Sequence, residues 1–154
     1  MEPPTQITPT KLADYLEQLT KPVFEGGINW KVIESKWPGF QVAFQGFDPE
    51  TVATLTPDDL DALMADTRIV RNRRKIEATV HNAAEMLAIE KEYGSFKKYL
   101  GSQGDFPELV KDMRKRFKQV GDFGAYYFLY VVGEPTPEHH EFRAKLLGGA
   151  KKES

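Results

Sequence analysis

The sequence predicts an all-α fold, and three observations support this prediction. Apolar residues recur three and four positions apart in one segment after another, which is the spacing of a helix face that packs on a core. Proline and glycine separate these segments. No segment alternates apolar and polar residues around a hairpin turn. With 154 residues, 40% of them hydrophobic and 29% charged, the chain has the size and composition of one globular domain.

The first predicted helix follows a proline-rich leader, and Thr10 can cap it. Its apolar face has helical spacing and consists of Leu12, Tyr15, Leu16 and Leu19. Lys21-Pro22 is expected to end this helix, because proline lacks the N–H that the helix ladder needs. Asn29 can then cap a second helix, which Pro38-Gly39 is expected to break.

Later segments repeat the combination of a start signal and an apolar face. Asp48-Pro49 starts one helix, and Thr56 with Asp59 approximates a capping box at the start of another. The remaining helices are predicted to begin near Arg73, Ser95, Pro107, Gly121 and Thr136. These signals indicate about eight to ten short helices. We expect one domain over residues 10–147, with a flexible leader (1–9) and tail (148–154).

Composition excludes several classes of protein. A membrane span needs about 18 consecutive apolar residues, and no such run exists. The N-terminus lacks the basic region and apolar stretch of a secretory signal. Zero cysteines exclude a disulfide framework, a thiol nucleophile and a thiolate metal site. We therefore expect a cytoplasmic protein without membrane contact.

The net charge of −2 hides two concentrations of positive charge. The first basic cluster consists of Arg68, Arg71, Arg73, Arg74 and Lys75. The second basic cluster consists of Lys111, Arg114, Lys115, Arg116 and Lys118. Two such clusters in a near-neutral chain indicate either a local nucleic-acid contact or a pair of solvated helix ends.

Residues 117–125 carry the most informative local pattern, in which a basic helix runs into a glycine turn and a second helix starts at once. Gly121 and Gly124 allow a close approach of the backbone, and the first amides of the second helix can bind a phosphate oxygen. Lys118 would add a salt-sensitive attraction. This is the physical logic of a helix-hairpin-helix DNA clamp, although the same pattern also serves as a plain helix connection.

Aromatic and histidine residues give weaker signals. Trp30 follows Gly26-Gly27 and either stacks on a flat cationic ligand or belongs to the core, whereas Trp37 is assigned to the core. Residues 138–141 (Glu-His-His-Glu) suit metal binding, acid–base chemistry or a solvated helix start, but their spacing matches no zinc motif. His81, inside the long helix, is assigned a structural role.

Several ordered blocks together resemble the DNA-3-methyladenine glycosylase I family: residues 27–30, 40–53, 66–76 with 82–83, and 117–121. The similarity extends over about residues 24 to 140. It implies a compact multi-helix domain of the helix-hairpin-helix DNA glycosylase type. It also implies a monofunctional DNA glycosylase of base-excision repair, which flips alkylated purines such as 3-methyladenine out of DNA and hydrolyses their N-glycosidic bond.

The sequence departs from this family at two kinds of site. The cysteines that help to bind the family's structural zinc are absent, so we predict no metal and no cofactor. Counting back from Trp30 without a gap, the family's base-binding glutamate falls on Pro22; a gapped alignment would instead pair it with Glu25. We prefer the ungapped register, in which Glu25 replaces a family glutamine and is still the acid nearest the expected pocket.

The resemblance assigns roles to individual residues. Trp30 would stack on the flipped base, and Glu25 would hydrogen-bond to it. Glu25 and Glu138 are the candidate catalytic acids, the latter because the wider superfamily often supplies an Asp beyond the hairpin. The candidate contacts with the DNA backbone are Arg71, Arg73, Lys118, Gly121 and Gly124.

The implied partner is double-stranded DNA that contains alkylated bases, and we expect a nucleoid-associated monomer. One alternative is a DNA-binding protein that keeps this scaffold and has lost the chemistry. Another is a protein whose pocket binds a different small ligand.

Overall fold

The computed structural model describes residues 4–27 and 29–137, which form eight α-helices and one 3-10 turn and contain no β-strand. The all-α prediction is confirmed. The helices are α1 (Leu12–Glu25), α2 (Trp30–Ala43), α3 (Pro49–Ala53), α4 (Pro57–Met64), α5 (Arg73–Tyr93), α6 (Phe96–Leu100), α7 (Phe106–Arg116) and α8 (Asp122–Val131), and the 3-10 turn is Gln45–Phe47. None of these helices is both long and apolar enough to cross a membrane.

Most predicted helix starts are confirmed. Asn29 accepts a hydrogen bond from the Lys31 amide at 2.9 Å. Asp48 and Ser95 likewise cap α3 and α6, and Thr56 forms its capping box with Asp59 at the start of α4. Three starts differ by one residue from the prediction: Lys11 rather than Thr10 precedes α1, α7 begins at Phe106, and α8 begins at Asp122. The helix expected after Thr136 lies mostly outside the described residues.

Two predicted helix breaks are wrong, because α1 continues through Pro22 and α2 continues through Pro38. An internal proline costs a helix about 3 kcal/mol, whereas full burial of one large apolar side chain contributes about 1.5–3 kcal/mol. Each proline is followed by two buried apolar side chains, Val23 and Phe24 in α1, and Phe40 and Phe44 at the end of α2. Burial of the next turn therefore outweighs the loss of one backbone hydrogen bond.

The core lies around α1 and α5. Helix α5 packs against α1, α3, α4 and α6, and α8 packs against α1 and α7. Stacked aromatic rings fill the α2 side of this core: Trp37, Phe40, Phe44 and Phe47. Trp37 is 6% exposed, which confirms its assignment to the core, and its indole N–H donates to Glu17 on α1 at 2.8 Å.

The segment predicted as a leader contacts the end of α8. The Ile7 amide donates to the Val131 carbonyl at 2.7 Å, and the Gln6 side chain donates to the Tyr130 carbonyl at 3.0 Å. The domain limits at residues 9, 10, 147 and 148 stay a prediction.

Candidate nucleic-acid interface

The turn between α1 and α2 carries the two residues predicted to bind a base. Glu25 is the last residue of α1, and Trp30 is the first residue of α2. Gly27 has φ +76°, a left-handed conformation that glycine adopts without strain. Trp30 is 46% exposed, which excludes the alternative that it belongs to the core. An exposed indole face is available for stacking, and the stacking role itself stays a prediction.

Glu25 lies in an environment that disfavours its charge. Burial is the main cause that raises the pKa of Glu25 to about 7; the positive charge of Lys21 opposes this shift, and the carboxylate of Glu34 contributes a smaller part of it. The group therefore titrates near neutral pH. A carboxyl group with this pKa, at one end of a turn whose other end carries an exposed tryptophan, is a candidate for binding a cationic ligand.

Two further residues belong to the surroundings of Glu25, and the sequence analysis missed both. Burial raises the pKa of Tyr127 on α8 to about 12, and the charges of Glu25 and Glu34 contribute to this shift. The Tyr127 hydroxyl thus stays protonated and can donate a hydrogen bond. Glu34 lies one helical turn after Trp30, and this four-residue spacing is the signal that could have identified it.

Pro22, at the position of the family's glutamate in the ungapped register, lies against α8. A Cβ built on Gly124 would lie 3.4 Å from the Cβ of Pro22, so the two helices approach closely at this point. Gly124 thus has a packing role in addition to any role of its amide. Its contact with DNA stays a prediction.

The predicted hairpin is present between α7 and α8. Gly121 is the N-cap of α8 and provides no side-chain cap, so the first amides of α8 have no hydrogen bond to a capping side chain. A Cβ on Gly121 would meet no atom within 4 Å, which leaves this end of α8 open to a ligand. Lys118 is exposed beside it. Gln119 has φ +60°, a strained conformation for a residue other than glycine.

Side chains from α5 hold the start of this hairpin. Asn82 is 1% exposed; its side chain accepts a hydrogen bond from the Lys118 amide at 2.8 Å and donates one to the Lys118 carbonyl at 3.1 Å. Nε2 of His81 lies 3.0 Å from the Arg116 carbonyl oxygen and donates to it, because a carbonyl can only accept. This contact agrees with the structural role assigned to His81.

The first basic cluster is only partly available to a ligand. Arg68 pairs with Asp66 at 2.7 Å, and Arg73 pairs with Asp61 at 3.0 Å. Lys75 was counted with this cluster but does not face solvent: it is 8% exposed and donates hydrogen bonds to the carbonyls of Phe24 (3.2 Å) and Gly26. Within the described part of the chain, the exposed Arg71 and Arg74 have no ion pair.

The second basic cluster also contains both cations that form ion pairs within the protein and exposed cations that do not. Arg116 forms ion pairs with three carboxylates, those of Glu85, Glu92 and Asp112. Arg114 pairs with Asp122 at 3.0 Å across the hairpin. Among residues 4–27 and 29–137, the exposed cations of this cluster without an ion pair are Lys111, Lys115 and Lys118. The two clusters therefore combine internal ion pairs with a smaller set of cations that a phosphate could reach.

The predicted catalytic Glu138 lies outside the described residues, as do His139, His140 and Glu141. Over residues 4–27 and 29–137, no group of three His, Asp or Glu side chains could hold a metal ion. Without cysteine, the chain does not fit the zinc site implied by the resemblance. The absence of a metal stays a prediction.

Comparison with known proteins agrees with this arrangement. A model of the methyladenine glycosylase family matches residues 11–120. The DNA-3-methyladenine glycosylase of Haemophilus influenzae is 34% identical over 89 residues, which cover 58% of this chain and 48% of that protein. The DNA-3-methyladenine glycosylase 1 of Escherichia coli is 31% identical over 130 residues, with coverage of 71% and 70%.

Solved structures give the same result for the fold. The 3-methyladenine DNA glycosylase I of Staphylococcus aureus superposes with a TM-score of 0.75 at 29% identity, covering 88% of both chains. A variant 3-methyladenine DNA glycosylase I in complex with 3-methyladenine superposes with a TM-score of 0.74 at 30% identity, covering 84% of this chain and 81% of that one. The family match includes both the α1–α2 turn and the start of the hairpin, and this chain belongs to the methyladenine glycosylase family.

Proposed function

We propose that this protein is a DNA glycosylase that hydrolyses the N-glycosidic bond of alkylated purines such as 3-methyladenine in duplex DNA. The observation that carries the proposal is the family match over residues 11–120. The exposed Trp30 at the α1–α2 turn and the open N-terminus of α8 support it, because a flipped nucleotide needs a site for its base and another for its phosphate.

On the base side, we assign Trp30 to stacking on the flipped base. An alkylated adenine in DNA carries a positive charge, and an indole face attracts a flat cation. Glu25 would bind the same cation through its carboxylate. Since an adjacent positive charge lowers the pKa of a carboxyl group, the ligand would favour the ionised form of Glu25.

The chemical step breaks the bond between the sugar C1′ and the base nitrogen. The bonding electrons move to the base and neutralise its charge, and a water molecule adds its oxygen to C1′ and loses a proton. The negative charge of Glu25 would stabilise the cationic base before this step and the developing positive charge on the sugar during it. Glu138 is the second candidate acid, in a region of the chain where the superfamily often has one.

On the backbone side, we assign phosphate binding to the amides at the start of α8 and to Lys118. Helix N-termini bind phosphate oxygens through free amides and the positive end of the helix dipole. Arg71 would contact the backbone elsewhere along the duplex. Arg73 would do so after exchanging its exposed ion pair with Asp61 for a phosphate, since such pairs contribute little stability.

A second candidate function is DNA binding without base release. The observation that favours it is Pro22, which stands where the family has its base-binding glutamate. Proline supplies neither a charge nor a hydrogen-bond donor. In that case Glu25 would be a residual acid, and the protein would bind DNA through its phosphate contacts alone.

Base release from methylated duplex DNA by the purified protein separates the two functions. The proposal expects free 3-methyladenine to appear in proportion to protein concentration and not to appear with the Trp30→Ala variant, which controls for contaminating enzymes. Duplex binding without any released base would instead support the second function.

The proposal also includes action as a monomer, in the cytoplasm and close to the nucleoid, with duplex DNA as the partner. Sedimentation of the protein alone and with a short duplex tests the monomer, and cell fractionation tests the location. A stable dimer that binds DNA only as a dimer would contradict the first expectation.

A further inference from the structure

Three buried polar residues lie along one face of α5. They are Lys75, Thr79 and Asn82, with exposures of 8%, 1% and 1%, and their spacing of four and three residues places them in one row. Buried polar groups in a helix interior are unfavourable unless they are hydrogen-bonded. The partners of this row therefore indicate what the polar groups do.

The N-terminal member of the row holds the end of α1. The Lys75 ammonium group donates to the carbonyls of Phe24 and Gly26, on both sides of Glu25. These carbonyls lie at the C-terminal end of α1, where the helix has unsatisfied acceptors and the negative end of its dipole. Burial lowers the pKa of Lys75, and the two acceptors offset part of the cost of burying the charge.

The C-terminal member of the row holds the hairpin. The Asn82 side chain uses its donor and its acceptor on the backbone of Lys118, which immediately precedes the strained Gln119. A strained backbone persists only where its surroundings fix it, and Asn82 supplies two such contacts. The Thr79 hydroxyl, between the two ends, donates only to the Lys75 carbonyl of its own helix.

We propose that Lys75 and Asn82 are positioning residues that use α5 as a rigid spacer between the base-binding turn and the phosphate-binding hairpin. Seven residues separate them, which corresponds to roughly 10 Å along the helix axis. Among the described residues, the side chain of each hydrogen-bonds only to backbone atoms next to one half of the site. The functional part of this inference rests on the proposed glycosylase function, whereas the two anchoring contacts do not.

Amide hydrogen exchange of the free protein tests the anchoring. Asn82→Leu removes both hydrogen bonds at similar volume and is expected to speed exchange of the Lys118 amide by about tenfold or more, with no change at Gly26 and Gly27. Lys75→Met is expected to speed exchange of the Gly26 amide, which donates to the Pro22 carbonyl, and not of the Lys118 amide. Thr79→Val is the matched control, because it is buried in the same row but should change neither turn.

A gentler pair of variants covers the possibility that the first pair does not fold. Asn82→Asp keeps the acceptor for the Lys118 amide and loses the donor, and Lys75→Gln keeps a shorter, uncharged donor. The same local pattern of exchange is expected, with smaller changes. Equal changes at both turns, or changes no larger than those of Thr79→Val, would overturn the positioning role.

Duplex affinity and binding of free 3-methyladenine should each respond to only one of the two variants. Asn82→Leu is expected to weaken binding of undamaged duplex by about tenfold while binding of free 3-methyladenine is retained. Lys75→Met should weaken binding of free 3-methyladenine and retain duplex affinity. If both variants lose both properties together, the residues are merely structural. If the wild-type protein releases no base from methylated DNA, the proposed function fails, and the exchange experiment still decides the anchoring.

Discussion

The α1–α2 turn and the α7–α8 hairpin are built alike and differ in the charged side chains around them. Each joins two helices through glycine, and each is held by a buried side chain of α5. Around the first turn lie the carboxyl groups of Glu25 and Glu34, and beside the second lies the exposed Lys118. The difference teaches that the net charge of −2 carries little information about local binding sites, because under the proposed function these side chains would face the two ends of one nucleotide, a cationic base and an anionic phosphate.

The largest expected effects come from two separate alanine variants, one of the core tryptophan and one of the tryptophan in the turn. Trp37→Ala should cost about 3–5 kcal/mol of unfolding free energy, because it removes a buried ring. Trp30→Ala should leave the unfolding free energy nearly unchanged and abolish base release, while duplex affinity is retained. Chemical denaturation and base-release assays on both variants check this pair. A similar loss of stability in both would remove the distinction between exposed and buried tryptophan.

Glu25→Gln should show how much the ionised Glu25 side chain lowers the unfolding free energy. The folded-state pKa of about 7 exceeds the ordinary value of 4.5, so ionisation of Glu25 opposes folding, and wild-type stability falls as the pH rises from 4.5 through 7. The variant should match the wild type near pH 4 and exceed it above pH 7, by about 1–2 kcal/mol once solvent screening of this partly exposed group is included. Denaturation curves at several pH values measure this difference.

The same substitution should slow the release of methylated adenine, because it removes the charge that attracts a cationic base. A variant that is more stable and less active at pH 8 is the expected combination. Unchanged base release would show that Glu25 takes no part in the reaction.

The affinity for duplex DNA should depend on salt rather than on pH, because it comes from contacts between cations and phosphates. Replacing Lys118 or Arg71 by alanine removes one phosphate contact, and the log–log slope of duplex affinity against salt should fall by roughly one for each. Lys91→Ala is the control, since Lys91 is an exposed lysine of α5 outside both basic clusters. Affinity that does not depend on salt in the wild type would contradict DNA binding through these cations.

A smaller effect is expected at the strained residue of the hairpin. Gln119→Gly should stabilise the protein by about 1 kcal/mol, because glycine adopts the φ of +60° without a clash of its own Cβ. The gain is reduced by the greater freedom of glycine in the unfolded chain. Thermal unfolding detects it, and a destabilised variant would show that the Gln119 side chain has a role of its own.

Chelation of metal ions is expected to leave the stability of the protein unchanged. Zero cysteines leave the protein without the thiolates of the family's zinc site, so EDTA should not change the melting temperature. Elemental analysis of the purified protein provides the independent check. Stoichiometric zinc whose removal unfolds the protein would refute the prediction.

The sequence predicted most helix starts because caps act locally: Asn29, Asp48 and Thr56 satisfy amides only two or three residues away. It failed at Pro22 and Pro38, where burial of the following turn outweighed the local signal. It also placed Lys75 with the surface cations, because its partners are carbonyls some 50 positions away in the chain, beyond the reach of spacing rules.

For the candidate site, the same limit applied. Trp30 and the hairpin were found from their own neighbourhoods, since glycines and a basic helix lie next to them in the chain. Tyr127 and Asn82 were missed, because each reaches its part of the site from another helix. Contacts between helices depend on how the helices pack, and one sequence does not specify that packing.

Because the pKa of Glu25 is raised to about 7, a cation that binds at this turn would replace a proton on the carboxyl group. Near neutral pH, both the protonated and the ionised form of this side chain are populated, and a bound cation would displace the proton. Binding would then release a fraction of a proton per complex, so its calorimetric heat would depend on the ionisation enthalpy of the buffer. The acidity of the surroundings would thereby tune how strongly the protein holds a charged base.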